Sequence, residues 1–546
     1  MRDQMKKSIA MLLSVLFLGS SLVGCGKKEE TEEVRDDHIE VNATLSGQTL
    51  TAGAAVDSVF SLPVEYGKKL NPITTKSSLN QMVGGLVYDQ LFEVDDNYNL
   101  SSRILDDWYF SDNGTLVLEL RDDIPMHDGT MLTAGDVAYS ISRVFSQGVT
   151  YYQSRLGTAY SSGANGTVYI SGDYVNTMTP YRLTLPIIKY GSILEDTPIG
   201  SGPYMWSEDK TCLEKFESYE NAENLPVDTV YLQPYEDLAK LINQYESGEV
   251  DLAVNDSTSI YNLGYGGMNE KRVFSTTNMH YIGFNGYSTF LCYAQYRSAL
   301  NYIVDRYSIA EEVLDGAAVA SALPVHPNSS LFNQVLNDSL AYDPDRCLLE
   351  FEKLGCRDLD GDSQMEFAIS GSKVEISIKF LVCSDNANKV VAARRIAEDM
   401  QAIGLDVTLV ELSWREYQEA LKNPRDEDGK PAWDMYYAEV ALTPDWDVLP
   451  LIEALPEDSY KTNLNFGKWD MPVVEDAAYA YLKANDDTRA SAMESLMTQI
   501  TSNGVIIPVC FEQREVISHL GIITGMKPNQ YNIFADFDQW NINLEG

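Results

Sequence analysis

Two α/β lobes, separated in sequence and accompanied by a strand-rich stretch, are the fold this sequence predicts. Three observations carry the prediction. Val374, Ile376, Ile378 and Phe380 alternate with Glu375, Ser377 and Lys379, the period of two that marks a half-buried strand. A helix follows, with Val390, Ala393, Ala397, Met400 and Ile403 on one face and Gly404 as its stop. Leu405, Val407 and Leu409 then alternate as a second strand, and such short links imply a parallel, right-handed crossover. The same grammar recurs earlier. Val230-Tyr231-Leu232 leads to a helix carrying Leu238, Leu241, Ile242 and Tyr245, Gly248 stops it, and Val250 to Val254 form the next strand. Repeated strand–helix–strand units far apart in sequence argue for two lobes. Between residues 93 and 192 the text changes to strands, with turns at Asp112-Asn113-Gly114 and His127-Asp128-Gly129. Thr133 and Asp136 there form a capping box ahead of a helix with Val137, Ile141, Val144 and Phe145 on one face.

The chain opens with a basic start (Arg2, Lys6, Lys7), a short apolar run from Ser8 to Leu18, and Leu22-Val23-Gly24-Cys25. The run is too short for a comfortable membrane span, so it reads as a secretory signal. L-V-G-C resembles the bacterial lipobox, in which the cysteine is lipidated and becomes the new N-terminus. The alternative is an ordinary signal peptide with an incidental Cys25. Residues 27–40 are charged and nearly free of large apolar side chains, a composition that forms a flexible spacer rather than a core. No later stretch is apolar over the ~18 residues a spanning helix needs.

With 81 acidic and 40 basic residues the formal net charge is −41. Nucleic acid is excluded as a partner, because phosphate binding needs a basic surface. Six cysteines follow Cys25: Cys212, Cys292, Cys347, Cys356, Cys383 and Cys510, with no C-x-x-C pair. Cys347 and Cys356 sit near opposite ends of one helix expected from Pro344 to Leu354, about 13 Å apart at 1.5 Å per residue. That exceeds disulfide reach, so free thiols are expected, with pairing of cysteines distant in sequence as the alternative in an exported protein.

Catalytic motifs are missing. There is no G-x-S-x-G elbow and no phosphate loop, and the five histidines are scattered without a helical ligand pair. Asp358, Asp360, Asp362 and Glu366 offer hard oxygen ligands at alternating positions, as Ca²⁺ coordination requires. The glycine is the fourth residue rather than the sixth, however, and no acid occupies the twelfth. A structural calcium loop and an acidic surface turn both fit, and no other cofactor is expected.

The stretch Leu86 to Val144, LVYDQLFEVDDNYNLSSRILDDWYFSDNGTLVLELRDDIPMHDGTMLTAGDVAYSISRV, resembles the opening signature of family 5 extracytoplasmic solute-binding proteins of ABC importers. Further blocks follow in the family's order: PIGSGPYMW (198–206), YEDLAKLINQYESGEVDLA (235–253), YIGFNGY (281–287), YRSALNYIVDRYSIAEEVLDGAA (296–318) and YDPDRCLLEFEKLGC (342–356). The resemblance implies a periplasmic-binding-protein-like α/β fold, a two-lobed clamp with an extra strand-rich domain. Carried over, residues 1–24 are the signal peptide and 25–44 the lipidated N-terminus and acidic tether. Lobe I takes 45–92, 193–284 and 507–546, domain II takes 93–192, and lobe III takes 285–506. Ligand would bind between lobes I and III and be buried by closure, with backbone hydrogen bonds to an extended peptide. The implied setting is the outer face of the cytoplasmic membrane, with an ABC permease as partner, a monomeric state and no bond made or broken.

One departure matters. Peptide-binding members commonly carry an A-D-Y-P-like segment whose Asp pairs with the peptide ammonium. The matching stretch is Glu439-Val440-Ala441-Leu442-Thr443-Pro444-Asp445-Trp446-Asp447, and Leu442 stands where that Asp would be. The resemblance then leaves Glu439, Asp445 and Asp447 to supply the charge, with Asp445 favoured because it follows a proline-marked turn beside an aromatic. Trp446 fits either cleft or core. The segment from Phe290 to Arg297 also departs from the family pattern. A nickel chelate, sugar or opine in place of a peptide, a lipoprotein enzyme, and a sensor using the same clamp are the rival readings.

Overall fold

The computed structural model describes residues 39–41, 58–146, 158–162, 166–173, 175–258, 264–265, 269–369, 372–455 and 463–544. The signal segment, Cys25 and the tether up to His38 lie outside them. Among the described residues no helix is long and apolar enough to cross a membrane.

The unit expected at 374–409 forms almost as read. Strand Ser377–Cys383, helix Ala387–Ala402 and strand Asp406–Leu412 follow one another, and the two strands pair in parallel. Asn386 caps the helix by accepting from the Lys389 backbone N–H at 3.1 Å. Gly404 ends it at φ +94°, a left-handed conformation that costs glycine little. Val374 departs from the expectation. It belongs to a separate hairpin, Glu366–Ile369 with Ser372–Glu375, and the run breaks at Ile376.

The second unit corrects the sequence reading. Strand Thr229–Tyr235 pairs in parallel with Phe60–Glu65 in a four-stranded sheet. After helix Leu238–Glu246 the chain does not return to that sheet. Asp251 touches it once, exchanging bonds with Ser61 (2.7 and 3.0 Å). Leu252–Asn255 then pairs antiparallel with the long strand Ile506–His519. Periodicity located these elements but carried no information about their partners.

That long strand and Asn269–Phe284 form the middle of an eight-stranded sheet among the described residues, continuing through Met435–Ala441, Ser377–Cys383 and Asp406–Leu412. The strand-rich stretch forms its own sheet, ordered Leu105–Phe110, Leu116–Leu120, Thr167–Ser171, Thr158–Ser162. Its capping box closes as expected, with the Asp136 N–H donating to the Thr133 hydroxyl at 3.3 Å.

Among the described residues, apolar side chains gather in two large cores. One contains Phe60, Leu62, Val230, Phe274, Val516 and Trp540, the other Met279, Ile282, Phe380, Ile396, Ile507 and Phe511. Both long strands therefore run from one core to the other. Their ladder breaks between the cores: Ser275 pairs with Gln513, and the next pair is Met279 with Phe511. The residues looped out there find partners outside the ladder. The Thr276 hydroxyl donates to the Glu512 carbonyl at 2.6 Å, and the Thr277 N–H donates to Gln530 Oε1 at 2.7 Å. Val94, Tyr98 and Met178, from the strand-rich stretch, pack into the second core. All six described cysteines are free thiols.

Candidate functional site

Strand Met435–Ala441 is laid down by three buried side chains, Met435, Tyr436 and Tyr437. Alternation continues as far as Leu442: Glu439 and Ala441 are exposed, while Leu442 is buried in the second core. Pro444 and a left-handed Trp446 (φ +54°) then break the parity. Trp446 is core. It is 1% exposed, with its ring edge-on to Tyr98 and Phe511 at centroid distances of 4.7 and 5.9 Å.

The structure corrects the expectation that Asp445 offers an unused carboxylate. Asp445 is fully buried, and the Arg182 guanidinium, the Thr443 hydroxyl and the Asp447 N–H (3.3 Å) all donate to it. Arg182 also donates to Asp447 at 3.3 Å. Burial alone would lower the Arg182 pKa, but Asp445 and Asp447 more than offset it and hold it above its ordinary value. Both aspartates therefore serve a latch between the strand-rich stretch and the 445–447 turn. The hydroxyl of Thr177 adds a bond to the Ala484 carbonyl at 2.6 Å. Glu439 is the remaining carboxylate of the segment; it pairs with Lys389 and lies 3.7 Å from His280 Nε2.

Next to the latch is a polar seam. His326 is fully buried, and burial pushes its pKa down to about 3. Its Nδ1 accepts from the Asn328 N–H at 3.1 Å, so the ring proton resides on Nε2. Among the described residues that donor has no hydrogen-bond partner. The Tyr98 hydroxyl, on a ring 5.4 Å away, has none either. Burial, and then the neighbouring Tyr531 phenol, push the Tyr98 pKa well above its ordinary value.

Tyr531 lines a pocket of about 410 Å³ with Gln90, Asp256, Arg514, Gln530 and Asn532. Two of its polar atoms are also without partners: Gln90 Oε1, an acceptor, and Arg514 Nε, a donor. Buried polar groups are normally satisfied, and each exception calls for an explanation. Four such atoms stand on neighbouring residues: Gln90 and Arg514 line the pocket with Tyr531, Tyr531 neighbours Tyr98, and the Tyr98 ring packs on His326. Asp256 and Arg514, 3.7 Å apart, add one charge of each sign. Such a site can offer donors and acceptors to a ligand that carries both.

The acidic loop is arranged differently. The Asp358 carboxylate accepts backbone N–H bonds from Gly361 (2.6 Å), Ser363 (2.9 Å) and Asp360 (3.2 Å), which hold its pKa down. The Lys373 ammonium sits on Asp360 and, at 2.9 Å, on Glu366, while Asp358, Asp360 and Glu366 each place a ligand oxygen within 4.8 Å of the other two. Asp362 stands apart and accepts from the Gln364 N–H at 2.9 Å. In the altered 290–297 segment, Arg297 is fully buried and donates to the carbonyls of Leu291, Asn503 and Gly504 at 2.7–2.9 Å.

Comparison with known proteins now adds the family. The family described as "Bacterial extracellular solute-binding proteins, family 5 Middle" matches residues 99–447. The chain belongs to it. The oligopeptide-binding protein AppA of Bacillus subtilis is 24% identical over 462 residues, 79% of each chain. Its solved structure in complex with a nonapeptide covers 88% of this chain and 98% of its own, at 18% identity and a TM-score of 0.57. The nickel-binding protein NikA of Staphylococcus aureus is 24% identical over 292 residues, 51% of this chain and 57% of that one. The structure of HbpA2 from Haemophilus parasuis covers 89% of this chain and 99% of its own, at 16% identity and a TM-score of 0.70.

Sequence reasoning missed Arg182, Tyr98, His326, Gln90 and Arg514. Two of them carried a legible signal. Arg182 is a lone charge just ahead of the apolar Leu183, Leu185 and Ile187, and His326 lies between Val325 and Pro327 in an otherwise apolar run.

Proposed function

We propose that this family 5 solute-binding protein captures a small peptide in the pocket and seam from Arg514 to His326 and delivers it to an ABC permease. The run of neighbouring residues with partnerless buried polar atoms is the observation that carries the reading. An extended peptide backbone donates and accepts alternately, so it can satisfy Gln90 Oε1 and the Arg514, Tyr98 and His326 donors together. A buried ammonium needs a carboxylate; with Asp445 committed to Arg182, Asp256 takes that role. The kinship with AppA supports a peptide, and a nickel chelate is the competitor that NikA brings forward. The chain is a binder here, not an enzyme.

In this reading the lobes are 45–92 with 193–284 and 507–546, and 285–506, with 93–192 as the third domain. The two long strands are the hinge, bending where their ladder breaks at 275–279. Cys25 carries the lipid that holds the protein on the outer face of the membrane.

A thermal-shift screen of di- to hexapeptides, nickel chelates and sugars tests the ligand class. A peptide at 100 times its dissociation constant should stabilise by about 2.7 kcal/mol, and N-acetylation should weaken it. Stabilisation by nickel chelates alone would replace the peptide reading. Cys25→Ser should move the protein from the membrane to the soluble fraction or leave an uncleaved precursor, since only a thiol gives the thioether. Mass spectrometry showing unmodified Cys25 in the mature wild-type protein would defeat the anchor.

A further inference from the structure

We propose that His280, Glu512 and Glu439, none of which lines the solute pocket, form a binding site for one borderline divalent cation of the Zn²⁺ type. The three residues stand on adjacent strands of the large sheet. His280 is the direct cross-strand partner of Glu439 in one ladder and of Cys510 in the other, with Glu512 two residues farther along. One ligand atom from each residue lies within 4.8 Å of the other two. His280 and Glu512 are buried, while Glu439 is half-exposed and opens the site to solvent.

The spacing fits. Zinc takes nitrogen and oxygen ligands at about 2.0–2.2 Å in tetrahedral geometry, which puts ligand atoms roughly 3.3 Å apart. His280 Nε2 is 2.7 Å from Glu512 and 3.7 Å from Glu439, on either side of that value. Opening the first distance by about 0.6 Å and closing the second by about 0.4 Å reaches that spacing, with the Glu439 and Glu512 oxygens within 4.8 Å of each other, and water takes the fourth position on the open side.

The supporting contacts are already in place. His280 Nδ1 is 2.9 Å from the Tyr437 hydroxyl, which would fix the imidazole with Nε2 toward the ion. Asn278 donates to the other Glu512 oxygen. Such outer partners orient ligands and hold their basicity. Strands also position ligands more firmly than loops do.

The charge balance fits as well. The Lys389 ammonium pairs with Glu439. A divalent ion bound by a neutral imidazole and two carboxylates leaves the site without net charge, and it takes the place that the Lys389 ammonium holds on Glu439. Ca²⁺ and Mg²⁺ prefer an all-oxygen set of six or more ligands, which this site lacks.

The test is equilibrium dialysis of the full chain against Zn²⁺ with metal analysis, and Ca²⁺ as the control. Wild type should bind one Zn²⁺ tightly and show no matching calcium uptake. Glu439→Gln, a conservative change at a half-exposed position, should weaken that binding at least tenfold. Lys389→Met removes the competing cation and should tighten it several-fold. Zinc uptake unchanged in Glu439→Gln would show an adventitious ion on an acidic surface and overturn the proposal. Weaker binding in Lys389→Met, or equal uptake of Ca²⁺, would also overturn it.

Discussion

Arg182→Met should cost the folded protein about 3–5 kcal/mol, the usual penalty for removing one partner of a buried ion pair. The side chains of Arg182, Asp445 and Asp447 are 5%, 0% and 8% exposed. Methionine leaves two carboxylates facing each other in a site closed to water. The loss should exceed that of Asp445→Asn, because the asparagine variant keeps the Asp447 carboxylate beside the guanidinium. Combining Arg182→Met with Asp445→Asn and Asp447→Asn should recover much of the stability, since no unpaired charge then remains. Melting temperatures of the four proteins check this. An Arg182→Met variant as stable as wild type would show that the latch contributes nothing, and a triple variant no better than the single one would point to packing instead.

Acid should weaken the protein through His326. Its folded-state pKa, about 3, lies below the ordinary 6.5, so between those values the unfolded chain binds a proton that the folded chain refuses. The contribution is therefore fully present above pH 6.5 and is lost as pH falls toward 3, by up to about 1.4 kcal/mol per pH unit. At pH 4.5 that amounts to roughly 2–3 kcal/mol. His326→Gln has no such proton to take up, so its melting temperature should fall less steeply than that of wild type between pH 6.5 and 4.5. Parallel pH profiles for the two proteins would contradict a neutral, buried His326.

Local grammar was legible in the sequence and partnership was not. The 377–412 unit was readable because strand, helix and strand are consecutive and pair with each other. The 230–254 unit was misread because its strands pair with Phe60–Glu65 and Ile506–His519, far away in the chain. The same limit explains the site. Asp445 looked available because its cation, Arg182, lies 263 residues away. Asp360 and Glu366 were legible as acidic loop residues, but their pairing with Lys373 was not, because the lysine comes after the acidic run. Glu439 is exposed and Leu442 buried, as strand alternation requires. Asp445 shares the parity of Glu439 and Ala441 yet is fully buried, because the chain turns at Pro444 and a left-handed Trp446.

Capture by closure between two cores is the central claim, and scattering during a titration tests it most directly. The chain from residue 39 onward should bind its peptide at one saturable site, with the radius of gyration falling in step with occupancy. Tyr98→Phe, which removes only a hydroxyl that has no partner, should keep the fold. It should weaken binding by the value of one hydrogen bond, about 0.5–1.5 kcal/mol. Superimposable scattering with and without saturating peptide, together with unchanged affinity in Tyr98→Phe, would contradict both the closure and the site.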